Sequence, residues 1–290
     1  MSNTNVATKE VKRSKKVWKK RRNPLGIVAL VLIAVIFLFP FIWALGISLL
    51  KESRFVYDYT KFLRPPYAWE NYIIVFKEAN FIRYTWNTLV IVGLGLIGNL
   101  ASNSFIAFGF SRYQTKGLGM LFMIGLCTMF LPGTVMSIPM YVIWNELGFI
   151  DTYVPLILPA YFGGIMNVFF IRQAFMSLPS ALYEAALIDG AHPFRIYATI
   201  YIPLAKPILA TLALRGFMSG WSDLFGPLIY INSPEKNTIS LGLRYVSQKY
   251  ADKGNIVMAA AIIAIVPVLV LYAFVQKTFV EGMASAAIKG

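Results

Sequence analysis

Apolar residues gather into six long runs along this chain, at 25–50, 85–110, 118–143, 154–170, 207–231 and 256–275, with shorter polar segments between them. A hydrocarbon core of ~30 Å takes about 17–25 helical residues, so each run is long enough to span a bilayer. A chain crossing lipid must satisfy its own backbone, and a helix does so within each segment. The pattern therefore predicts an all-α integral membrane protein with six transmembrane helices. The simplest partition is a tail at 1–23, one transmembrane domain at 24–279 and a second tail at 280–290. Within the domain, the polar stretch 177–206 between the fourth and fifth runs is the longest inner connection.

Composition agrees with this reading: 58% of the 290 residues are hydrophobic and only 14% are charged. The formal net charge of +14 raises the question of nucleic acid, which its distribution answers. Nine of the 27 basic residues, Lys9, Lys12, Arg13, Lys15, Lys16, Lys19, Lys20, Arg21 and Arg22, immediately precede the first run. A basic block beside a span is retained in the cytoplasm, where it also meets anionic lipid. No nucleic-acid partner is expected. Six spans then return the C-terminus to the cytoplasm, making both termini cytoplasmic. The first run is too long for a cleaved signal core and no small-x-small site follows it, so it reads as a retained anchor. The single cysteine, Cys127, lies inside a run, and the single histidine, His192, can build neither a metal cluster nor a catalytic relay alone. No phosphate-binding G-x-x-x-x-G-K-[ST] loop is present. No catalytic residue, metal or cofactor is expected, and any energy from ATP must come from another chain.

The connection after the fourth run carries the most information. Residues 180–189 include the helix formers Ala181, Leu182, Glu184, Ala185, Ala186 and Leu187. Gly190 supplies the left-handed conformation that ends a helix, and Pro193 suits the first turn of the next. The expected form is helix, sharp turn, helix. The small pair Ala185 and Ala186 permits close seating in a groove, with Glu184 available to a basic partner. An ordinary amphipathic loop shares some of these features, although the longer pattern is more specific.

That pattern, Glu184-Ala185-Ala186 followed by Gly190 and then Ile202-Pro203, resembles the cytoplasmic signature loop of ABC importer permeases. Ser177-Leu178-Pro179, Tyr201-Ile202-Pro203-Leu204, Trp221-Ser222-Asp223 and Pro234-Glu235-Lys236 are similar to its carbohydrate-importer branch. The final residues 280–290 resemble the tail of the shorter maltose-type subunit. The resemblance implies a bacterial cell-membrane permease for a sugar or oligosaccharide. It implies docking on an ATPase through Glu184, Ala185, Ala186, Asp189, Gly190 and Pro203, with a tail ending at Gly290 reaching the ATPase dimer. It also implies a heterodimer with a second permease, two ATPase copies and an extracytoplasmic binding protein, for which 232–255 is a candidate contact. Three departures stand out: His192 where Ser or Thr is usual, Ser222 where Asn is common, and Met283-Ala284-Ser285 for Leu-Thr-Ala.

Polar residues inside the runs are the candidate pathway. Arg215 lies ~12 Å into the fifth run, where a charge costs at least ~2.5 kcal/mol and must face protein or water. Ser219, Ser222 and Asp223 continue its broad helical face and suit a hydroxyl-rich solute, while pairing of Arg215 with a partner subunit is an equal alternative. A basic residue in the passage would also suit an acidic sugar. In the second run Gly95, Asn99, Ser102 and Asn103 share a face that serves either helix packing or pathway lining. Tyr141, Trp144 and Trp221 either stack on sugar rings or anchor at the membrane interface. Gly93-Leu94-Gly95-Leu96-Ile97-Gly98 matches G-x-G-x-x-G, but without a strand or βαβ context it reads as a packing element. The competing classes are an ion-gradient-driven transporter or channel, for which Asp223 is the lone intramembrane acid, and a membrane enzyme, for which no catalytic cluster exists.

Overall fold

The computed structural model describes residues 24–51 and 66–288. The basic block 9–22 and Gly290 lie outside the described residues. All regular structure among the described residues is helical.

The helices are α1 (Pro24–Ser48), α2 (Glu70–Glu78), α3 (Phe81–Arg112), α4 (Leu118–Cys127), α5 (Gly133–Glu146), α6 (Val154–Ile157) and α7 (Ile165–Met176). They are followed by α8 (Ser180–Ile188), α9 (Pro193–Ile196), α10 (Ile202–Leu204), α11 (Lys206–Trp221), α12 (Phe225–Tyr230), α13 (Ile239–Lys249) and α14 (Gly254–Ile288). Four segments are long and apolar enough to cross a membrane unaided: α1, α3, Val154–Met176 and Gly254–Phe274. Two bent pairs complete a set of six.

Breaks at residues 131–132 and 222–224 correct the expected straight runs, and proline accompanies each of the two bends. The run 118–143 breaks by 98° between Phe130 and Gly133. Leu131 and Pro132 are extended there, because a proline drives the preceding residue out of helical geometry. The run 207–231 is also not one helix, since α11 ends at Trp221 and α12 covers Phe225–Tyr230, while a second bend lies just before the run. Pro193–Leu204 meets Lys206–Trp221 at 75°, since Pro207 removes a donor and crowds the preceding turn. Upstream of Pro203, residues Tyr197–Tyr201 widen into a π turn, in which the Ile202 N–H reaches the Tyr197 carbonyl. At its far end α11 stops at Trp221, so Ser222 and Asp223 do not continue the helical face of Arg215. Instead Asp223 Oδ1 accepts the N–H groups of Phe225 (3.1 Å) and Gly226 (3.2 Å) and starts α12.

The fourth span is interrupted as well, by a 3₁₀ segment, Leu158–Phe162, and by Gly163 at φ +86°. Broken backbone at membrane depth survives only where protein satisfies it. Asn103, fully buried on α3, accepts the Gly164 N–H at 2.6 Å, and Ser102 donates to the Ala160 carbonyl at 3.2 Å.

Two cores lie at opposite ends of α3. One gathers Phe81 and Tyr84 with Trp221, Ile239, Val246 and Ile256. The other gathers Ala107 and Phe108 with Ile171, Phe175, Ile196, Tyr201 and Leu212. Between them α3 meets α11 through the small residues of α11. A Cβ added to Gly216 would lie 2.6 Å from Leu96, and one on Gly220 would lie 3.0 Å from Val92. This small-xxx-small spacing brings the two backbones close and fixes the rotation of α11 against α3.

Candidate functional site

Two constellations stand out, one on the surface at the Phe108 end and one inside the bundle. The surface feature is the helix pair α8–α9. Its turn closes as a Schellman motif: the Gly190 N–H donates to Leu187 and the Ala191 N–H to Ala186, with Gly190 at φ +77°. His192 then caps α9, its Nδ1 accepting the Phe194 N–H at 3.3 Å, the role usually given to Ser or Thr. Pro193 occupies the first turn as expected.

The underside of this pair is held by aromatic packing. Tyr183, Tyr197 and Tyr201 surround Phe108 at centroid separations of 6.1, 5.4 and 5.1 Å. The Tyr197 hydroxyl shares a 2.8 Å hydrogen bond with Ser104. Arg112, at the end of α3, donates from Nη2 to the Phe175 and Leu178 carbonyls and lies 4.8 Å over the Tyr201 ring. A cation is favoured there because the carbonyls ending α7 point at it. Arg172 repeats the device, donating to Phe110 O at 3.0 Å and stacking on Phe122 at 4.7 Å.

The upper face is open. Glu184, Ala185, Asp189, Gly190 and Pro203 are exposed, while Ala186 is half-buried against the core. Ile188 is 86% exposed and Phe194 59%, beside Leu182 and Leu187. Exposed apolar side chains rimmed by charge mark an interaction surface. The spacing of Glu184, Ala185 and Gly190 pointed to this face, whereas Ile188, Phe194 and the bracing Arg112 were missed. An arginine at the end of two separate apolar runs was the available signal, and sequence alone reads it merely as a positive flank.

The second constellation is a cavity of about 550 Å³ between the two cores, bounded chiefly by α3 and α11. It brings together Asn99, Arg215, Ser219 and Asp223 among the expected pathway residues, and adds Asn167 and Thr128. Asn167 Nδ2 donates to Asn99 Oδ1 at 2.9 Å across the helix interface. The other expected residues sit elsewhere. Asn103 is spent on the backbone break. Trp221 is buried, with Nε1 donating to the Ala264 carbonyl at 2.9 Å. Ser222 is exposed and donates to Met218. Tyr141 stacks on Tyr230 at 6.4 Å near the opposite end of the bundle. Of the G-x-G-x-x-G glycines, Gly98 packs on the Tyr161 ring, which an added Cβ would clash with.

At that opposite end, segment 232–238 is tied down by Asp151. Its carboxylate accepts the Asn232 and Ser233 N–H groups (3.0 and 2.9 Å), the Ser233 hydroxyl and the Lys236 ammonium (2.9 Å). Asn87 Nδ2 adds bonds to the Glu235 and Asn237 carbonyls. The Ser233 hydroxyl, then Lys236, hold the Asp151 carboxyl well below its ordinary value near 3.8. A depressed folded pKa contributes stability that is complete above 3.8 and is lost as pH falls below it toward the folded value. Protection of the 232–238 amides, as exchange relative to the intrinsic rate at each pH, should therefore hold from neutral pH to about 4 and fall below it. In Asp151→Asn exchange should be on the order of tenfold faster at neutral pH, allowing for surface screening. Unchanged exchange in the variant would show that Asn87 alone holds the loop.

Known proteins share this architecture. A family described as "Binding-protein-dependent transport system inner membrane component" matches residues 17–285. The arabinooligosaccharides transport system permease protein AraQ of Halalkalibacterium halodurans is 30% identical over 226 residues, 76% of this chain and 79% of that protein. The sn-glycerol-3-phosphate transport system permease protein UgpE of Brucella abortus is 31% identical over 275 residues, 90% and 95% of the two chains. Among solved structures, a bacterial ABC transporter involved in the import of the acidic polysaccharide alginate superposes with a TM-score of 0.73. It is 25% identical, covering 90% of this chain and 98% of that one. The bacterial alginate ABC transporter in complex with alginate pentasaccharide-bound periplasmic protein has a TM-score of 0.60 at 19% identity, a likeness of fold, over 89% and 95%.

Proposed function

The chain belongs to the family of binding-protein-dependent transport system inner membrane components, and from that premise we propose that it forms one half of an ATP-driven passage for a sugar or oligosaccharide. The observation that carries the reading is the open face of α8–α9, apolar at Ile188 and acidic at Glu184 and Asp189, on a helix pair braced from below. A separate ATPase docks on that face, and a second permease completes the passage. The cavity around Asn99 and Ser219 lies between the docking end and the Asp151 end, where a binding protein delivers solute beside 232–255. The relatives carry arabinooligosaccharides, a glycerol phosphate and alginate by their names, all hydroxyl-rich solutes, which supports a carbohydrate cargo here. With the α8–α9 face in the cytoplasm, the basic N-terminus and the 280–290 tail share its side, as the positive-inside rule requires. The chain itself serves as a non-catalytic subunit.

The test is purification of the tagged chain from its native membrane, followed by reconstitution in lipid vesicles. Two ATPase subunits and a second permease should accompany it, and loaded binding protein should stimulate ATP hydrolysis. Uptake that persists without ATP and collapses with the ion gradient would establish the secondary-transporter reading instead.

A further inference from the structure

Arg215 is the single cationic residue lining the cavity. Among the described residues its guanidinium has no hydrogen bond and no carboxylate within 4.0 Å. The one carboxylate in the lining, Asp223, is engaged by the backbone N–H groups that open α12. Arg215 is exposed on α11, and the packing of Gly216 and Gly220 on Leu96 and Val92 sets the rotation that places it on the cavity side of the α3 contact. On the next turn of α11, the Ser219 hydroxyl has no acceptor among the described residues, and across the cavity Asn167 donates to Asn99. A membrane-depth charge left unpaired is costly, and it persists where an anion or a water-filled passage meets it. A planar guanidinium grips the two oxygens of a carboxylate or phosphate bidentately, and about 550 Å³ is within the ~300–1,000 Å³ range of small-solute sites.

We propose that the solute carries an anionic group, carboxylate or phosphate, which Arg215 receives, while Asn99, Asn167 and Ser219 receive its hydroxyls. This rests on the reading of the chain as a sugar-importer subunit and specifies its cargo. Asn and Ser suit sugar hydroxyls, but they cannot discriminate charge. Arg215 does.

The experiment uses the complete complex in lipid nanodiscs and measures direct binding of three probes: digalacturonate, galactobiose and galactose 6-phosphate. The wild-type complex should prefer at least one anionic probe over galactobiose by roughly 10- to 100-fold, the scale of a charge-assisted contact. The two anionic arms separate carboxylate from phosphate. Arg215→Gln should compress the anionic-to-neutral ratio to about 1, and Arg215→Lys should keep part of it. Equal binding of all three probes, or binding of neither anion, overturns the proposal. So does loss of the second permease from Arg215→Gln with retention in Arg215→Lys, which would assign the charge to assembly. Failure of the importer reading registers separately, as absence of a co-purifying ATPase whatever the probes do.

Discussion

Gly190→Val is expected to abolish uptake while leaving the chain folded in the membrane. Gly190 holds φ at +77° and closes the Schellman turn between α8 and α9. A side chain at this position would meet nothing within 4 Å, so packing does not oppose it. Backbone geometry does. A left-handed conformation costs an ordinary residue roughly 1–2 kcal/mol, and a β-branched one is a genuine outlier there. The turn would reopen, swinging Glu184 and Ile188 away from Phe194. Docking surfaces concentrate their energy in a few such residues, so uptake should fall by more than roughly 30-fold. Gly190→Asn, neutral and tolerant of this backbone, should retain most of the activity. Glu184→Lys, which leaves the turn intact and reverses the charge, should also release the ATPase. The measurements are vesicle uptake and the amount of ATPase recovered with the tagged chain. Full uptake by Gly190→Val and Glu184→Lys would remove the docking role from this face.

Arg112→Met should uncouple rather than undock. Arg112 joins three elements: its own α3, the carbonyls that end α7, and Tyr201 in the π turn beneath the docking pair. Methionine fills similar volume but takes the guanidinium from both carbonyls and the cation from the ring, leaving Phe175 O only the Leu178 N–H. The combined loss is roughly 2–4 kcal/mol, summing a charged hydrogen bond and a partly desolvated cation–π contact. The exposed face of α8 is untouched, so ATPase subunits should still co-purify. Their hydrolysis should continue while uptake per ATP falls on the order of tenfold, and the thermal midpoint of the complex should drop. Arg112→Lys should lie between, since an ammonium can reach one carbonyl but lacks the fork and the planar stack. Normal uptake per ATP in Arg112→Met would show that force reaches the spans by another route.

The residues that made the α8–α9 pair legible act locally. Gly190, Pro193 and the helix formers from Ala181 to Leu187 set backbone conformation within a few positions, so spacing alone reveals them. The six apolar runs were legible for the same reason. Their straightness was not: whether Pro132 or Pro207 bends a span depends on what neighbouring helices can satisfy, which a window of sequence does not contain. The polar residues show the same divide. Ser219 and Asn99 reach the cavity, whereas Asn103, from the same stripe as Asn99, is spent on the break at Gly164. Periodicity places residues on a face of a helix but does not tell which neighbour that face meets.

By itself, then, the sequence determined the helical membrane class, the apolar runs and the helix–turn–helix at α8–α9, because hydropathy, turn chemistry and capping are properties of short segments. The tertiary structure decided where the spans bend, that Arg112 braces the α8–α9 pair, and that Arg215, without a partner among the described residues, lines the same cavity as Asp223. Those depend on contacts between helices such as Gly216 on Leu96, where close approach of two backbones sets which polar groups are covered and which remain open.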